Sequence, residues 1–321
     1  MINSQTILKA IPNVLKTIDI PGLGEKQQGK VRDFYILQDK RIIITTDRQS
    51  AFDVNLGFTP YKGAVLNQLA AFWFDQTKHI VPNHMIAIPD PNVLIAQNCE
   101  PIPIEMIVRG YISGVTNTSI WHSYQQGERV IYGQTFPDGL KKNQKLPHPV
   151  ITPTTHGGGK NGHDERLTKE EILQRKIVTK DIYEQMEKIV LALFEYGSNH
   201  GEKNGLILVD TKYEFGMYNG EVTLMDEMHT PDSSRFWLKE TYQQRFEQGQ
   251  EPENFDKEFI RLWYTDRMDP YKETPQVMPE ELMIAASQRY IAVYEKITGK
   301  SFDAFSYPIE ERIITNVQKY V

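Results

Sequence analysis

The chain has 321 residues, 40% of them hydrophobic and 24% charged, proportions that are usual for a globular protein and exclude a disordered one. Its formal net charge of -6 disfavours a nucleic-acid-binding protein, although a pocket inside an acidic protein can be locally positive. The single cysteine, Cys99, excludes an intrachain disulfide and a thiolate metal cluster. Neither a signal peptide nor a bilayer-spanning apolar stretch is visible, so we expect a soluble, cytoplasmic protein.

The elements predicted before residue 165 are a helix at 4–16 that Pro12 bends or ends, a hairpin of strands at 31–37 and 41–45, a helix at 64–79 and a buried strand at 102–108. Residues 133–164 contain four prolines and the glycine triplet 157–159, which predicts a long ordered loop. Loops of this length are usually functional.

The elements predicted after residue 165 are a helix at 179–198, strands at 206–213 and 221–227, and helices at 255–265 and 279–298, the last ended by Gly299 as a C-cap. Strands and helices are mixed without strict alternation, which favours an α+β fold over a doubly wound sheet. A boundary near Arg109 divides the chain into lobes of residues 1–108 and 109–321.

The strand at 206–213 and its continuation carry the sharpest chemical signal. Asp210, Lys212 and Glu214 share one face because successive side chains of a strand alternate. The next strand ends in Asp226 and Glu227, so an antiparallel return gathers up to four carboxylates around one lysine. Such a cluster repels itself unless a cation enters it, and oxygen ligands suit Mg²⁺ bridging the phosphates of ATP. The alternative is a solvated sheet edge.

Two further segments are typical of anion binding. Gly29 precedes Lys30 and Arg32 at a strand entry, where a glycine lets backbone amides approach an anion. The alternative is that these are exposed charged residues at a turn that bind no ligand. The sequence contains neither a Walker loop nor a dinucleotide-binding glycine motif. Asp232, Ser233 and Arg235 combine a hydroxyl with the donor fork of an arginine, which suits phosphate, although an ordinary turn explains the segment equally well.

Other loop residues leave their roles open. Arg109 and Ser113 follow the strand at 102–108 and form a similar anion-binding candidate. His156 and His163 lie in the proline-rich segment, where each is either a general base or merely exposed. The motifs of serine hydrolases and zinc proteases are absent from the sequence.

These motifs, in their order along the chain, resemble the phosphoribosylaminoimidazole-succinocarboxamide synthase (SAICAR synthetase) family. The resemblance covers roughly residues 20 to 300. The stretches that carry it are Gly29-Lys30-Val31-Arg32-Asp33, Asp47-Arg48-Gln49-Ser50-Ala51-Phe52-Asp53, Tyr61-Lys62-Gly63, Pro103 to Tyr111, Thr152-Pro153-Thr154-Thr155, His163-Asp164-Glu165, Leu208 to Gly216, and Asp226-Glu227 through Trp237.

The resemblance implies a two-lobed, ATP-grasp-like fold, with an ATP-binding N-terminal lobe and a C-terminal lobe that holds the metal and ribonucleotide sites. The residues it implies for ATP are Gly29, Lys30 and Arg32 at the phosphates and Glu105 and Ile107 along the adenine through their backbone. Those it implies elsewhere are Glu214 and Asp226 as Mg²⁺ ligands, Lys212 and Asp210 as catalytic residues, and Arg109, Ser113, Asp232, Ser233 and Arg235 at the ribonucleotide.

The implied reaction joins L-aspartate to carboxyaminoimidazole ribonucleotide at the expense of ATP, through an acyl phosphate. Phosphoryl transfer of this kind needs positioning and charge neutralisation more than a nucleophilic side chain. The sequence departs from the family pattern at two positions. Many relatives have serine where this chain has Val115, so a hydroxyl at this place comes from Thr116 or is missing. Many also have lysine where this chain has His156. A small-molecule kinase and a non-catalytic nucleotide-binding regulator are the rival interpretations. The sequence leaves the oligomeric state and the aspartate-binding residues open.

The turn between the two acidic strands decides which carboxylates meet. A two-residue turn at Asn219-Gly220 pairs Glu214 with Met225 and points Asp226 away from Glu214, whereas a three-residue loop from Tyr218 to Gly220 sets Lys212 opposite Asp226. We predict the three-residue loop, with Gly220 at positive φ.

Overall fold

The computed structural model describes residues 2–52, 54–156, 164–270 and 272–320. Its strands are β1 (Lys26–Gln28), β2 (Arg32–Ile36), β3 (Lys40–Thr45), β4 (Arg48–Ala51), β5 (Val54–Phe58), β6 (Met85–Asp90), β7 (Val93–Gln97), β8 (Glu100–Ile112), β9 (Val130–Ile131), β10 (Gln134–Thr135), β11 (Gln144–Ile151), β12 (Thr154–Thr155), β13 (Leu206–Tyr218), β14 (Glu221–Met225) and β15 (Ser234–Leu238).

The helices are α1 (Ser4–Ala10), α2 (Lys62–Thr77), α3 (Ile120–Gln125), α4 (Lys169–Gln174), α5 (Lys180–Lys203), α6 (Lys239–Glu247), α7 (Glu258–Thr265), α8 (Glu280–Thr298) and α9 (Glu310–Val317), with single 3₁₀ turns at Ile11–Asn13 and Gln318–Tyr320. Helices and antiparallel sheets are mixed without alternation, which confirms the α+β class. Among the described residues, none of the helices has both the length and the apolar character of a membrane span.

The N-terminal sheet has the strand order β1-β2-β3-β7-β6 and contains the predicted hairpin as β2 and β3, with Arg32 opposite Thr45. Alternation along β3 gives the sheet two different faces. Ile42 and Ile44 are fully buried in an apolar cluster with Ile313 of α9, whereas Ile43 lines a cavity on the opposite face. One face is therefore core, and the other is available for binding.

The C-terminal sheet is built on the long central pair β8 and β13, flanked by β11, β14 and two short strands. The register sets Asp210 opposite Arg109, Lys212 opposite Ile107 and Glu214 opposite Glu105. A sheet face rich in charge therefore runs across both strands. The change from one sheet to the other lies between β7 and β8, earlier than the boundary expected at residue 108, which falls inside β8. The division into two domains stays a proposal.

A β-bulge in β13 alters part of the predicted alternation. The register against β15 shifts between Leu208 and Asp210. As a result Val209 packs with Trp237 in a small apolar cluster, whereas Tyr213 belongs to the main core. Strict alternation along the predicted strand would place Val209 and Tyr213 together on the face opposite Asp210. They lie on different faces because the inserted residue reverses the alternation of side chains.

The segment 133–164 is not the uninterrupted loop that its prolines suggested. Its residues 144–151 form β11, an edge strand paired with β8, and the pairing breaks between Lys145 and Val150. Pro147 and Pro149 lie in that break, where no ladder hydrogen bond is lost. The glycine triplet and His163 lie outside the described residues. Gly299 ends α8 in the left-handed conformation (φ +68°), which confirms the predicted C-cap.

Candidate active site

A cavity of about 810 Å³ lies between the binding face of the N-terminal sheet and the charged face of the C-terminal sheet. Gly29, Lys30 and Arg32 line it from the N-terminal side. Gly29 forms a tight turn, donating from its backbone N–H to the Arg32 carbonyl at 2.8 Å. The buried guanidinium of Arg48 holds this turn, because it donates to the carbonyl oxygens of Gly29 (3.1 Å) and Lys30 (3.2 Å). Sequence reasoning quoted Arg48 within a motif without assigning it this role.

The opposite wall carries a cluster of carboxylates around Lys212. The Lys212 Nζ lies 3.4 Å from a carboxylate oxygen of Glu105 and 3.3 Å from one of Asp226, and it also donates to Glu214. His156 Nδ1 lies 3.3 Å from Glu105 Oε1. Of the four acids predicted around this lysine, Glu214 and Asp226 contact it, whereas Asp210 and Glu227 pair with arginines instead. The third acid in contact is Glu105 from β8, for which only a backbone role was predicted.

Electrostatics in this cluster divide the carboxylates into two kinds. Burial raises the pKa of Glu214 to about 7, despite the nearby Lys212 charge. Burial also opposes ionisation of Asp226, but the charges of Arg32 and Lys212 outweigh it and hold the pKa below its usual range. The hydrogen bond to Glu105 raises the pKa of His156 to about 9. Glu214 is therefore the carboxylate whose charge is least well compensated.

The hairpin that delivers Asp226 has the tighter of the two turns considered. Tyr218 pairs with Glu221 and Glu214 with Met225, so the three-residue loop was wrong, although Gly220 does have positive φ (+82°). Asn219 is also left-handed (φ +50°), which is the pattern of a two-residue turn matched to sheet twist.

Asp226 still reaches Lys212 in spite of this register. Strand β14 ends at Met225, and Asp226 itself adopts a left-handed backbone with φ +60°. The alternation of side chains along a strand therefore no longer determines the direction of the Asp226 side chain. Glu227 instead lies beside Arg32 and accepts a hydrogen bond from Thr230. The predicted choice between Asp226 and Glu227 was wrong because the strand expected at 221–227 ends two residues earlier, at Met225.

Arg32 points across the cavity and bridges the two sheets. Its guanidinium contacts Asp226 at 2.5 Å and Glu227 at 3.1 Å. Ile107 lies outside the large cavity, and its carbonyl accepts from the Thr152 N–H at 2.8 Å. A backbone engaged in pairing on both sides cannot line an adenine, so that expectation for Ile107 does not fit the structure. The apolar part of the large cavity is formed elsewhere, by Val31, Ile43, Cys99, Ile102 and Phe215.

A smaller cavity of about 140 Å³ adjoins the first and is rich in arginine. The Asp210 carboxylate accepts from Arg109 at 3.2 Å and from Arg235 at 2.6 Å, so a buried acid orients both guanidinium groups. Ser233 and Thr116 line this cavity, and Thr116 is the residue expected to supply the hydroxyl missing at Val115. Ser113 lines neither cavity; its hydroxyl bonds to Asn143, which corrects its assignment to the substrate.

Among the described residues, four line both cavities: Lys212, Asp232, Lys257 and Arg261. Asp232 contacts Lys62 at 2.9 Å and Lys257 at 3.5 Å, and it accepts from Tyr290 at 2.5 Å. A carboxylate with these partners orients the cations around it, a role beyond the ribonucleotide contact that was expected of Asp232. Lys257 and Arg261 were missed, although their spacing of four residues along one helix face was a visible signal.

The SAICAR synthetase family model matches residues 25–278 of this sequence. The phosphoribosylaminoimidazole-succinocarboxamide synthase of Legionella pneumophila (strain Paris) is 51% identical over 316 residues, which are 97% of this chain and 100% of the relative. The chain belongs to the SAICAR synthetase family. The SAICAR-synthase from Saccharomyces cerevisiae, solved in complex with SAICAR, superposes with a TM-score of 0.76 at 28% identity, over 90% of this chain and 100% of that one.

A SAICAR synthetase solved in complex with ADP is 25% identical, with a TM-score of 0.66 over 87% of this chain and 100% of that one. Membership of the SAICAR synthetase family confirms the resemblance read from the motifs, and the likeness to solved SAICAR synthetases agrees with the α+β fold. The family-model match ends before α8, so Tyr290 reaches Asp232 from an element beyond it.

Proposed function

We propose that this chain is an ATP-dependent ligase that joins L-aspartate to 5-amino-1-(5-phospho-ribosyl)imidazole-4-carboxylate, giving SAICAR, ADP and phosphate in purine biosynthesis. The observation that carries the proposal is the family membership, together with two adjoining cavities that share Lys212 and Lys257. One cavity suits a nucleotide and the other an anionic ribonucleotide. A cytoplasmic location stays a prediction.

ATP is proposed to occupy the larger cavity. The turn at Gly29, closed by its N–H to the Arg32 carbonyl, lines this cavity, and Lys30 and Arg32 supply positive charge for the phosphates. The apolar walls from Val31 and Phe215 suit a purine base. The complex of a relative with ADP is consistent with a nucleotide in this fold.

The carboxylate cluster is proposed to hold Mg²⁺. Ligand atoms of Glu105, His156 and Glu214 lie within 4.8 Å of one another, and Asp226 shares the Lys212 ammonium with the two acids. The donor set fits, since Mg²⁺ prefers oxygen ligands and three carboxylates here share the Lys212 ammonium. Glu214 and Asp226, with Glu105, would hold the ion, which when bound neutralises charge on the ATP phosphates.

The ribonucleotide is proposed to place its phosphate at Arg109, Arg235 and Ser233 and its carboxylate at the junction of the cavities. A carboxylate oxygen then bonds to the γ-phosphorus of ATP, the bond to the bridging oxygen breaks, and ADP leaves. Lys212 stabilises the charge that develops there, and Lys257 pairs with the carboxylate of the bound ribonucleotide. Asp210 keeps both arginines in place.

L-aspartate is proposed to enter on the side of Arg261, whose side chain remains partly exposed. Its amine attacks the carbonyl carbon of the acyl phosphate, phosphate leaves with the electron pair of the C–O bond, and the amine loses a proton. The products are an amide and phosphate. Within this sequence of steps the protein needs no covalent intermediate of its own.

Dependence on aspartate tests the proposal. ADP release is measured with the ribonucleotide present, with and without L-aspartate. We expect sustained turnover only when both are added, because the acyl phosphate otherwise has no acceptor. Equal steady turnover without aspartate would support a small-molecule kinase and contradict the ligase. A Lys212→Met variant, which lacks the shared ammonium, serves as the inactive control.

The ribonucleotide site has a separate test in Arg235→Lys. Lysine keeps the charge but cannot reproduce a two-pronged contact to phosphate and to Asp210. We expect the KM for the ribonucleotide to rise by about tenfold or more and that for ATP to change little. A rise confined to the KM for ATP would move Arg235 to the nucleotide site.

A further inference from the structure

Helix α8 supplies the active site with one buried polar contact. Tyr290 is 1% exposed, and its hydroxyl donates to Asp232 Oδ1 at 2.5 Å. The other oxygen of the same carboxylate, Oδ2, lies 2.9 Å from the Lys62 Nζ. Both oxygens of Asp232 thus have a close partner from a different element, one from α2 and one from α8.

Lys257 is the third partner of Asp232 and the most distant. Its Nζ lies 3.5 Å from Oδ2, beyond the separation of the other two contacts. Lys62 is fully buried behind Asp232, whereas Lys257 borders both cavities. The Lys257 ammonium therefore retains donors directed at the junction, where the proposed function places the carboxylate of the ribonucleotide.

The arrangement depends on Asp232 being satisfied by others. If one oxygen lost its donor, the carboxylate would gain free energy by drawing in the nearest mobile cation, because a buried unpaired acceptor is costly. Lys62 is already in contact with it, so Lys257 is the cation that would move. The movement would withdraw the ammonium from the junction.

We propose that Tyr290 is a positioning residue of the active site: by donating to Asp232, it leaves the Lys257 ammonium available to the carboxylate of the ribonucleotide. This inference rests on the proposed function for its substrate. It assigns to α8, beyond the family-model match, a part in substrate binding that is distinct from packing.

The direct test is the reactivity of the Lys257 amine. Wild type, Tyr290→Phe and Tyr294→Phe are treated with acetic anhydride, and acetylation of Lys257 is followed by peptide mass spectrometry. Tyr294 lies one turn further along α8 and packs on Phe302, so it controls for general effects on the helix. We expect slower acetylation of Lys257 only in Tyr290→Phe. Equal rates in all three proteins would overturn the inference, whatever reaction the protein catalyses.

The kinetic test uses the proposed substrates. In Tyr290→Phe we expect the KM for the ribonucleotide to rise about fivefold to tenfold, with kcat and the KM for ATP within about twofold. Adding Tyr290→Phe to Lys257→Met should raise that KM no further, because the tyrosine acts through the lysine. If the double variant raised the KM by the product of the two single effects, Tyr290 would not act through Lys257.

Loss of stability does not obscure the KM measurement. A smaller folded fraction lowers the apparent kcat and leaves KM unchanged. A wild-type protein without turnover on the ribonucleotide and aspartate would refute the proposed function, and the acetylation experiment would still decide the role of Tyr290.

Discussion

Lys257 carries its charge where burial opposes it. Burial lowers its pKa to about 8 against the opposing charge of Asp232, and the neighbouring charges of Arg261 and Lys62 lower it further. A lysine so placed is still protonated at neutral pH, and it loses its proton as the pH rises through about 8. If it binds the carboxylate of the ribonucleotide, binding must weaken over the same range.

Lys257→Arg therefore has a predictable effect on the pH profile. In the wild type, kcat/KM for the ribonucleotide should decline above about pH 8 as the ammonium is lost. Arginine keeps its charge, so the variant should lack this alkaline decline even if its absolute kcat/KM is lower. Lys239→Arg, on the exposed helix α6, is the control and should follow the wild type. An alkaline limb that persists in Lys257→Arg would assign it to another group.

At the scale of elements, the ends of strands decide the site as much as their centres do. The alternation along β13 sets Lys212 and Glu214 on one face, but Asp226 reaches them only because β14 ends and the backbone turns left-handed. A regular strand would have delivered Glu227 to this position. The turn that joins β13 to β14 fixes the register on which both outcomes depend.

Gly220→Ala tests that turn. Gly220 has φ +82°, and an added Cβ would meet no atom within 4 Å, so the cost is conformational and not steric. We expect the free energy of unfolding to fall by about 1 kcal/mol, measured by urea denaturation. Asn219→Gly is the matched control, since glycine tolerates φ +50° without strain, and it should change stability little. An unchanged Gly220→Ala protein would mean that the turn readily adopts another conformation.

At the scale of the molecule, the C-terminus stabilises the N-terminal sheet from behind. Helix α9 packs Ile313 and Val317 against the face of that sheet turned away from the cavity. Arg312 adds two hydrogen bonds to the fully buried Asp90 carboxylate, at 2.8 and 2.9 Å. Sheet and C-terminus therefore form one packed unit, although they lie far apart in the sequence.

Ile313→Ala tests this unit. The side chain is fully buried, so its truncation removes apolar contacts and leaves a cavity. We expect a loss of about 2–5 kcal/mol in the free energy of unfolding, with the KM for ATP within about twofold because the proposed nucleotide site lies at the opposite face. Val130→Ala, at a side chain 64% exposed, should have almost no effect. A large change in the KM for ATP would mean that the two faces are coupled.

The sequence by itself determined several of the longer elements and the character of the main strand. Apolar spacing located α5 and α8, Gly299 marked the end of α8, and alternation set Lys212 and Glu214 on one face. These are local properties, because propensity and side-chain direction depend on neighbours along the chain. The motif order was equally informative about the family, since it needs no three-dimensional information.

Only the tertiary structure decided which groups act together. Glu105 joined the carboxylate cluster through the register of β8 against β13, and Asp232 proved to be surrounded by Lys62, Lys257 and Tyr290 from three other elements. Such contacts depend on long-range pairing and burial, which neither spacing nor propensity encodes. The roles of individual charged residues could therefore be assigned only once the structure showed their partners. Several of the strands and helices that carry them could be predicted from the sequence.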